Sequence, residues 1–153
     1  MLLRLERLVV EIGALQSKLI LLVGPPHIGK TDLLKSFGER ISVVPLNVGS
    51  ALGRRLASIP YKQRHLQAGN ILRELADQHT QGDLLLIDNI ELLFDTTLQL
   101  DPLDLLKRHA HANKVVAVWP GELRNDRLTY ADIGHAERRD YATGGVFPFE
   151  VKQ

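Results

Sequence analysis

Four residues at fixed spacing carry the plainest chemistry in the sequence: Gly24, Gly29, Lys30 and Thr31 stand as GxxxxGK[ST] within LILLVGPPHIGKT, Leu19 to Thr31. Such a pattern cradles a phosphate chain in backbone N–H groups, sets a lysine ammonium on the β and γ phosphates and offers a hydroxyl to Mg²⁺. Pro25 and Pro26 have no N–H to donate, so the amides of His27, Ile28, Gly29, Lys30 and Thr31 are the ones expected to wrap the phosphates. Patterns this short arise by chance, and context decides. The run Leu19, Ile20, Leu21, Leu22, Val23 reads as a strand buried on both faces, and a helix over about Lys30 to Glu39 follows the loop. The N-terminus of that helix adds roughly half a positive charge at the same spot. The expected ligand is a triphosphate, ATP with Mg²⁺.

The second chemical landmark is LLLID, Leu84 to Asp88: an apolar strand whose last residue lifts a carboxylate to the mouth of a sheet, where it assists the same Mg²⁺. Asp88 is therefore the expected metal residue beside Thr31. One further strand lies between the two landmarks in sequence, so their strands are not expected to be sheet neighbours, the arrangement of the additional-strand class of P-loop ATPases. In that class a glutamate usually follows the aspartate and takes the proton of the attacking water. Here Asn89 follows, with Glu91 two further on. An amide can position a water but cannot deprotonate it, and a missing general base costs roughly 10² to 10⁴ in rate. Asn89 and Glu91 are the candidate catalytic residues, with Asp95 read as solvated.

Several elements must position these groups. Leu2, Leu5, Leu8, Val9, Ile12 and Leu15 recur at helical spacing and predict an amphipathic helix over about 2 to 16, packed beside the first strand. Ile41 to Val48 predicts a second strand, and Pro45 within it assigns that strand to a sheet edge. Gly49 to Ile59 predicts a short helix or turn carrying Arg54 and Arg55, and Tyr61 to Thr80 a longer helix stopped at Gly82. Asp101 followed by Pro102 and Asp104 is a helix start, continuing to about Ala112, with His109 and His111 read as surface residues. Lys114 to Trp119 is a strand whose end, in ATPases of this class, bears a polar group that senses the γ phosphate. Trp119, Pro120 and Gly121 occupy that place, and Glu122 is the nearest polar side chain. Glu122 to Tyr141 shows little periodicity and holds Arg124, Arg127, Arg138 and Arg139, read as solvated or ion-paired. Val146 to Val151 predicts a last edge strand despite Pro148.

The bulk numbers suit a single domain in 153 residues, a size that buries roughly 70% of its unfolded surface. With 19 Lys plus Arg against 18 Asp plus Glu, no strong global field draws the chain to DNA or to a membrane, so any DNA contact is local. Cysteine is absent, which removes disulfides, thiolate chemistry and the usual zinc sites. No apolar run reaches the ~18 residues of a membrane span, and a cytoplasmic protein is expected.

The GPP start of the loop resembles AAA+ ATPases, although His27 stands where glycine is usual and accepts a left-handed backbone less easily. Its ring is expected to face solvent. GPPHIGKT, LLLIDNIELLFD, VWPGEL and LTYADIGHAERRDY, in that order over nearly the whole chain, resemble the BrxF family, small P-loop proteins of type 3 BREX phage-defence systems. The resemblance implies a bacterial assembly that tells host from phage DNA by methylation, with a large ATPase, a methyltransferase, a helicase and an alkaline-phosphatase-like protein as partners. It implies nucleotide roles for Gly24, Gly29, Lys30, Thr31 and Asp88, and no settled activity.

These readings predict a three-layer α/β P-loop core with a mainly parallel sheet and no C-terminal helical lid. Such a core leaves its nucleotide open on one side, to be completed by a partner or a second copy of the chain, which could bring an arginine finger worth roughly 10³ to 10⁵ in rate. The expected activity is weak ATP hydrolysis, regulatory within a larger assembly. The alternatives are a non-hydrolysing module in which ATP orders the loops around Arg54 and Trp119 for docking, and a small DNA-binding loader. Phosphate loops do not read the base.

Overall fold

Strands in which nearly every residue is buried need cover on both faces, and this requirement decides the architecture. The computed structural model describes residues 1–14 and 18–152. Helix α1 (Leu2–Glu11) precedes β1 (Leu19–Val23), α2 (Lys30–Ile41), β2 (Leu46–Asn47), α3 (Val48–Ala57), α4 (Arg64–His79) and β3 (Leu84–Asp88). Then come α5 (Pro102–Ala112), β4 (Lys114–Val118), β5 (Glu122–Arg124), β6 (Arg127–Tyr130), β7 (Arg139–Ala142) and β8 (Phe147–Glu150). The main sheet runs β2-β3-β4-β1-β8 with every pairing parallel, and β5-β6-β7 form a separate antiparallel sheet.

Period-two alternation splits the core. Leu19, Leu21, Val23, Leu85, Ile87, Val115 and Ala117 face α3, α4 and α5, while Ile20, Leu22, Leu84, Leu86, Val116 and Val118 face α1 and α2. The result is three layers, an α/β fold with a mainly parallel central sheet. Each fully buried Leu, Ile or Val contributes about 1.5–3 kcal/mol, so the two clusters hold the strand ends rigidly. No described helix is long and apolar enough to cross a membrane.

Several boundaries differ from the sequence expectation, each for a local reason. The helix expected over 2–16 ends at Glu11 and tightens into a 3₁₀ turn, Ile12–Ala14, where Gly13 weakens helix propensity. Leu15 and Gln16 lie outside the described residues. Helix α2 runs on to Ile41, and Ser42 closes it at φ 60°. Only Leu46–Asn47 of the strand expected over 41–48 pairs. Val43 instead gives its amide to the Gly38 carbonyl, and Pro45 has none to give. The strand nevertheless lies at the sheet edge, as Pro45 requires. The long helix begins at Arg64 after a 3₁₀ turn, Tyr61–Gln63, and ends at His79, one residue short of the expected Thr80, which is its cap. Thr80 donates its hydroxyl to the Ala76 carbonyl at 2.7 Å.

The main correction concerns residues 122–142. In place of aperiodic chain there are three antiparallel strands, the first two joined by Asn125 and Asp126 at φ 50° and 59°. Both residues of this two-residue turn are left-handed, the condition for a type I′ hairpin, and Asn and Asp tolerate it. The last strand lies at the opposite edge of the main sheet, beside β1, with Pro148 within it.

Candidate functional site

The parallel pairing brings the C-terminal ends of β1, β2, β3 and β4 to one edge. Asn47 is opposite Asp88, Leu22 opposite Val118, and the Trp119 amide donates to the Leu22 carbonyl at 2.9 Å. Gly24–Thr31 leaves β1 at this edge. Gly29, at φ 106°, is the residue before α2, a backbone state that costs glycine little. His27 takes φ 64° and is exposed, as expected of a residue standing where glycine is usual. Ile28 turns its amide back to the Pro25 carbonyl at 3.3 Å, which removes it from the donors expected for a phosphate and leaves His27, Gly29, Lys30 and Thr31. The first bond of α2 runs from the Leu33 amide to the Gly29 carbonyl, so the helix opens with amides that have no partner one turn back. At Gly24 a Cβ would come within 3.0 Å of Ile28 Cγ2 and 3.1 Å of the Val151 carbonyl, so the loop start is packed tight.

Lys30 reaches across the loop mouth. Its ammonium donates to the Gly24 carbonyl at 2.9 Å and to the Trp119 carbonyl at 3.0 Å. Burial pushes its proton affinity below the ordinary lysine value, and the nearby charge of Glu91 acts the other way. Thr31 donates its hydroxyl to Asp88 Oδ1 at 3.2 Å. The two residues expected to share Mg²⁺ are thus in contact although 57 positions apart. Among the described residues no group of three or more His, Cys, Asp or Glu side chains could hold a metal ion by itself. A hydroxyl and one carboxylate fit Mg²⁺, which is commonly held by one or two carboxylates together with substrate phosphates.

Asn89 is tied at the end of β3 by both its backbone and its side chain. It sits at φ 55°, donates its backbone N–H to Asp88 Oδ1 at 2.8 Å, and donates its side-chain Nδ2 to Asn47 Oδ1 at 2.9 Å. Asn47 Oδ1 also accepts from the Ser50 amide at 3.0 Å, capping α3, and the Gly49 amide donates to the Asn89 carbonyl at 2.9 Å. Asn89 is a tie between β3 and the β2–α3 corner. Glu91 opens a 3₁₀ turn, Glu91–Phe94, is exposed, and exerts its charge on both Lys30 and Tyr130. Asp95 is not simply solvated. It accepts from the Thr97 amide and hydroxyl at 2.9 and 2.7 Å.

At the end of β4, where a polar side chain was expected, the group that meets Lys30 is a backbone one, the Trp119 carbonyl. Trp119 itself is wholly buried. Its indole donates to the Thr129 carbonyl at 3.1 Å and meets Phe94 edge-on at 5.6 Å and Tyr141 edge-on at 6.1 Å, and Tyr130 stacks on Phe94 at 3.8 Å. Sequence reading missed this aromatic joint. Its signal is the late pair Tyr130 and Tyr141 at inward positions of adjacent strands. Tyr141 also donates to Asp101 Oδ1 at 3.1 Å, which caps α5 through the Asp104 amide. Burial, together with the Asp101 charge, pushes the Tyr141 phenol up to about 12, with Arg139 opposing.

The late arginines serve the small sheet. Arg124 pairs with Glu122, Arg127 and Arg138 with Asp140, and Arg139 donates to the Arg138 carbonyl. His111 is exposed as expected, and His109 is half-buried near Asp77 and Arg73, where burial lowers its proton affinity.

Comparison with known proteins yields little beyond this geometry. No family model matches the sequence, and no solved structure matches it. It is similar to the mitochondrial Lon protease homologue of Yarrowia lipolytica (strain CLIB 122 / E 150), 34% identical over 101 residues. That similarity covers 59% of this chain and 8% of the protease.

Proposed function

We propose that the chain is a P-loop nucleoside-triphosphatase core of the additional-strand class, binding Mg-ATP at Gly24, His27, Gly29, Lys30 and Thr31 and hydrolysing it slowly. The observation that carries the reading is the Thr31–Asp88 hydrogen bond beside the Lys30 ammonium, which puts the three expected nucleotide groups at one strand edge. The sheet order β2-β3-β4-β1-β8, with β4 between the loop strand and the Asp88 strand, supports the class. Bound Mg²⁺, held by Thr31 and Asp88, supplies charge neutralisation at the phosphates.

Slow turnover follows from Asn89, whose amide is committed to Asn47 and which has no basic oxygen charge to offer. The charge of Glu91 acts on Lys30 and, Asp88 being assigned to the metal, we assign Glu91 the general-base role in whatever hydrolysis occurs. The resemblance to the small P-loop proteins of BREX systems supplies a setting. There the subunit acts as a regulator among a large ATPase, a methyltransferase and other defence proteins. The protease likeness brings no proteolytic role, since it spans 8% of that protein. The Asn89–Asn47 tie favours a second reading, a non-hydrolysing module whose bound ATP gates docking.

Single-turnover conversion of Mg-ATP by the purified chain tests the proposal, with Lys30→Ala as the blank. Retention of ATP with slow appearance of ADP, abolished by Glu91→Gln, is the expected result. ATP retained and never cleaved selects the docking module. Turnover of several per second, or no retention of either nucleotide, overturns the proposal.

A further inference from the structure

The loop start borders a cleft that the phosphates do not need. It has a volume of ≈ 330 Å³ and is lined by Val23, Gly24 and Pro25 from the end of β1, Leu123 and its neighbours from β5, and Val151 with its neighbours after β8. A pocket of about 300–1,000 Å³, mostly apolar with a few polar groups, is of the kind that takes small molecules. Two of its walls are fixed: Val23 and Val151 are buried, and the Val151 amide donates to the Val23 carbonyl at 2.8 Å. The third wall is the small antiparallel sheet, which lies outside the parallel core and is fastened to it through the Trp119 joint.

The charges of this cleft are already balanced. Glu122 pairs with Arg124 at 2.5 Å, and Glu150 with Lys152 at 3.6 Å. Two acids and two bases, each paired with its neighbour, offer hydrogen-bond donors and acceptors without a net field. Such a lining disfavours a second anion and suits a neutral, flat group that is apolar on its faces and polar at its edges. That is the description of a nucleobase.

Resting on the reading of Gly24–Thr31 as a triphosphate loop, we propose that this cleft seats the nucleoside of the bound nucleotide, with Leu123 as its apolar wall and Arg124 as its edge contact. The base lies between Pro25 and Leu123, and its exocyclic amino group meets the carboxylates of Glu122 and Glu150. Base recognition then belongs to the β5–β6 hairpin, whose first strand lines the cleft.

Inorganic tripolyphosphate reads the loop alone, and ATP reads loop and cleft together, so their affinities for the same protein separate the two claims. The intact chain should bind ATP about tenfold or more tighter than tripolyphosphate, a difference of about 1.4 kcal/mol. Leu123→Ala should weaken ATP at least about fivefold and leave tripolyphosphate unchanged. Arg124→Gln, at an exposed position where folding is not at stake, should act in the same direction. Equal affinity for the two ligands in the intact chain overturns the proposal and leaves the loop reading standing. So does an ATP preference that neither variant reduces, or one lost instead on Ile133→Asp, which alters a neighbouring cleft beside Pro26. Binding of neither ligand overturns the loop reading and the proposal with it.

Discussion

Gly121→Ala is the sharpest perturbation this structure offers. A Cβ at Gly121 would overlap the Thr129 carbonyl oxygen and stand 3.0 Å from Trp119 Nε1. Both obstacles are rigid: one is backbone of the neighbouring strand, the other the indole of a wholly buried side chain. The strands must separate. Overpacking of this kind costs about 1–3 kcal/mol. The Trp119 N–H, which bonds the same Thr129 carbonyl, loses its acceptor inside the protein, a further cost of about 1–3 kcal/mol. Alanine recovers about 0.4–1 kcal/mol by restricting the unfolded chain. The net is about 3 kcal/mol of destabilisation, read as a shift of about 1 M or more in the urea midpoint for a slope of about 1–3 kcal/mol/M. Gly69→Ala is the internal control. Nothing stands within 4 Å of a Cβ there, and its place inside α4 predicts a small gain, about 0.5–1 kcal/mol. A Gly121→Ala midpoint within about 0.5 kcal/mol of the unaltered protein would refute the packing argument, because surface changes alone span that range.

Asn89→Ala should cost about 2 kcal/mol, from the lost bond to Asn47 and from a non-glycine, non-Asn residue held at φ 55°, while leaving single-turnover hydrolysis at its original rate. Loss of hydrolysis without loss of stability would instead make Asn89 a water-positioning group. Tyr141 should titrate near 12 by tyrosinate absorbance. The sign follows from a folded-state value raised above the ordinary 10.0: the stabilisation is whole below about 10 and is lost as pH climbs through about 12. Asp101→Asn keeps an N-cap but removes the charge and should bring that titration downward. Trp119 is the sole tryptophan, and its carbonyl holds Lys30, so Mg-ATP should change its emission in the unaltered chain and not in Lys30→Met. An unchanged emission with ATP demonstrably bound would mean that Lys30 keeps its carbonyl contacts in the loaded loop.

The parallel core was legible because its signals are local. Leu19–Val23 is an uninterrupted apolar run, as are residues 84–87 and 115–118, and Pro45 and Pro148 exclude central positions. The N-terminus of α5 was equally plain, since Asp101, Pro102 and Asp104 each have one obvious role there. The strand expected over 41–48 failed because a run of β-branched residues cannot reveal that Val43 closes the end of α2. The small sheet was missed for another reason. Its strands are three or four residues long and half exposed, so alternation is too brief to count, and Asn125–Asp126 was its single strong local mark.

The site divides along the same line. Residue types and spacing name Lys30, Thr31 and Asp88, because the chemistry of a phosphate loop and its metal demands those groups. They do not name Asn47 or the Trp119 carbonyl, which enter through contacts 42 and 89 positions distant. A carbonyl has no sequence signature, since every residue owns one. Its presence opposite Lys30 has a physical consequence all the same. An ammonium held by two carbonyls and partly desolvated is already paid for in position, and a triphosphate oxygen, being charged, forms the stronger bond. On the proposed function, a bound phosphate competes for Lys30 with the turn that also anchors the small sheet, and the same turn contains Gly121. Under that proposal, Gly121→Ala should lower both stability, through Thr129, and nucleotide affinity, through Trp119, two effects that a residue remote from the loop could not combine.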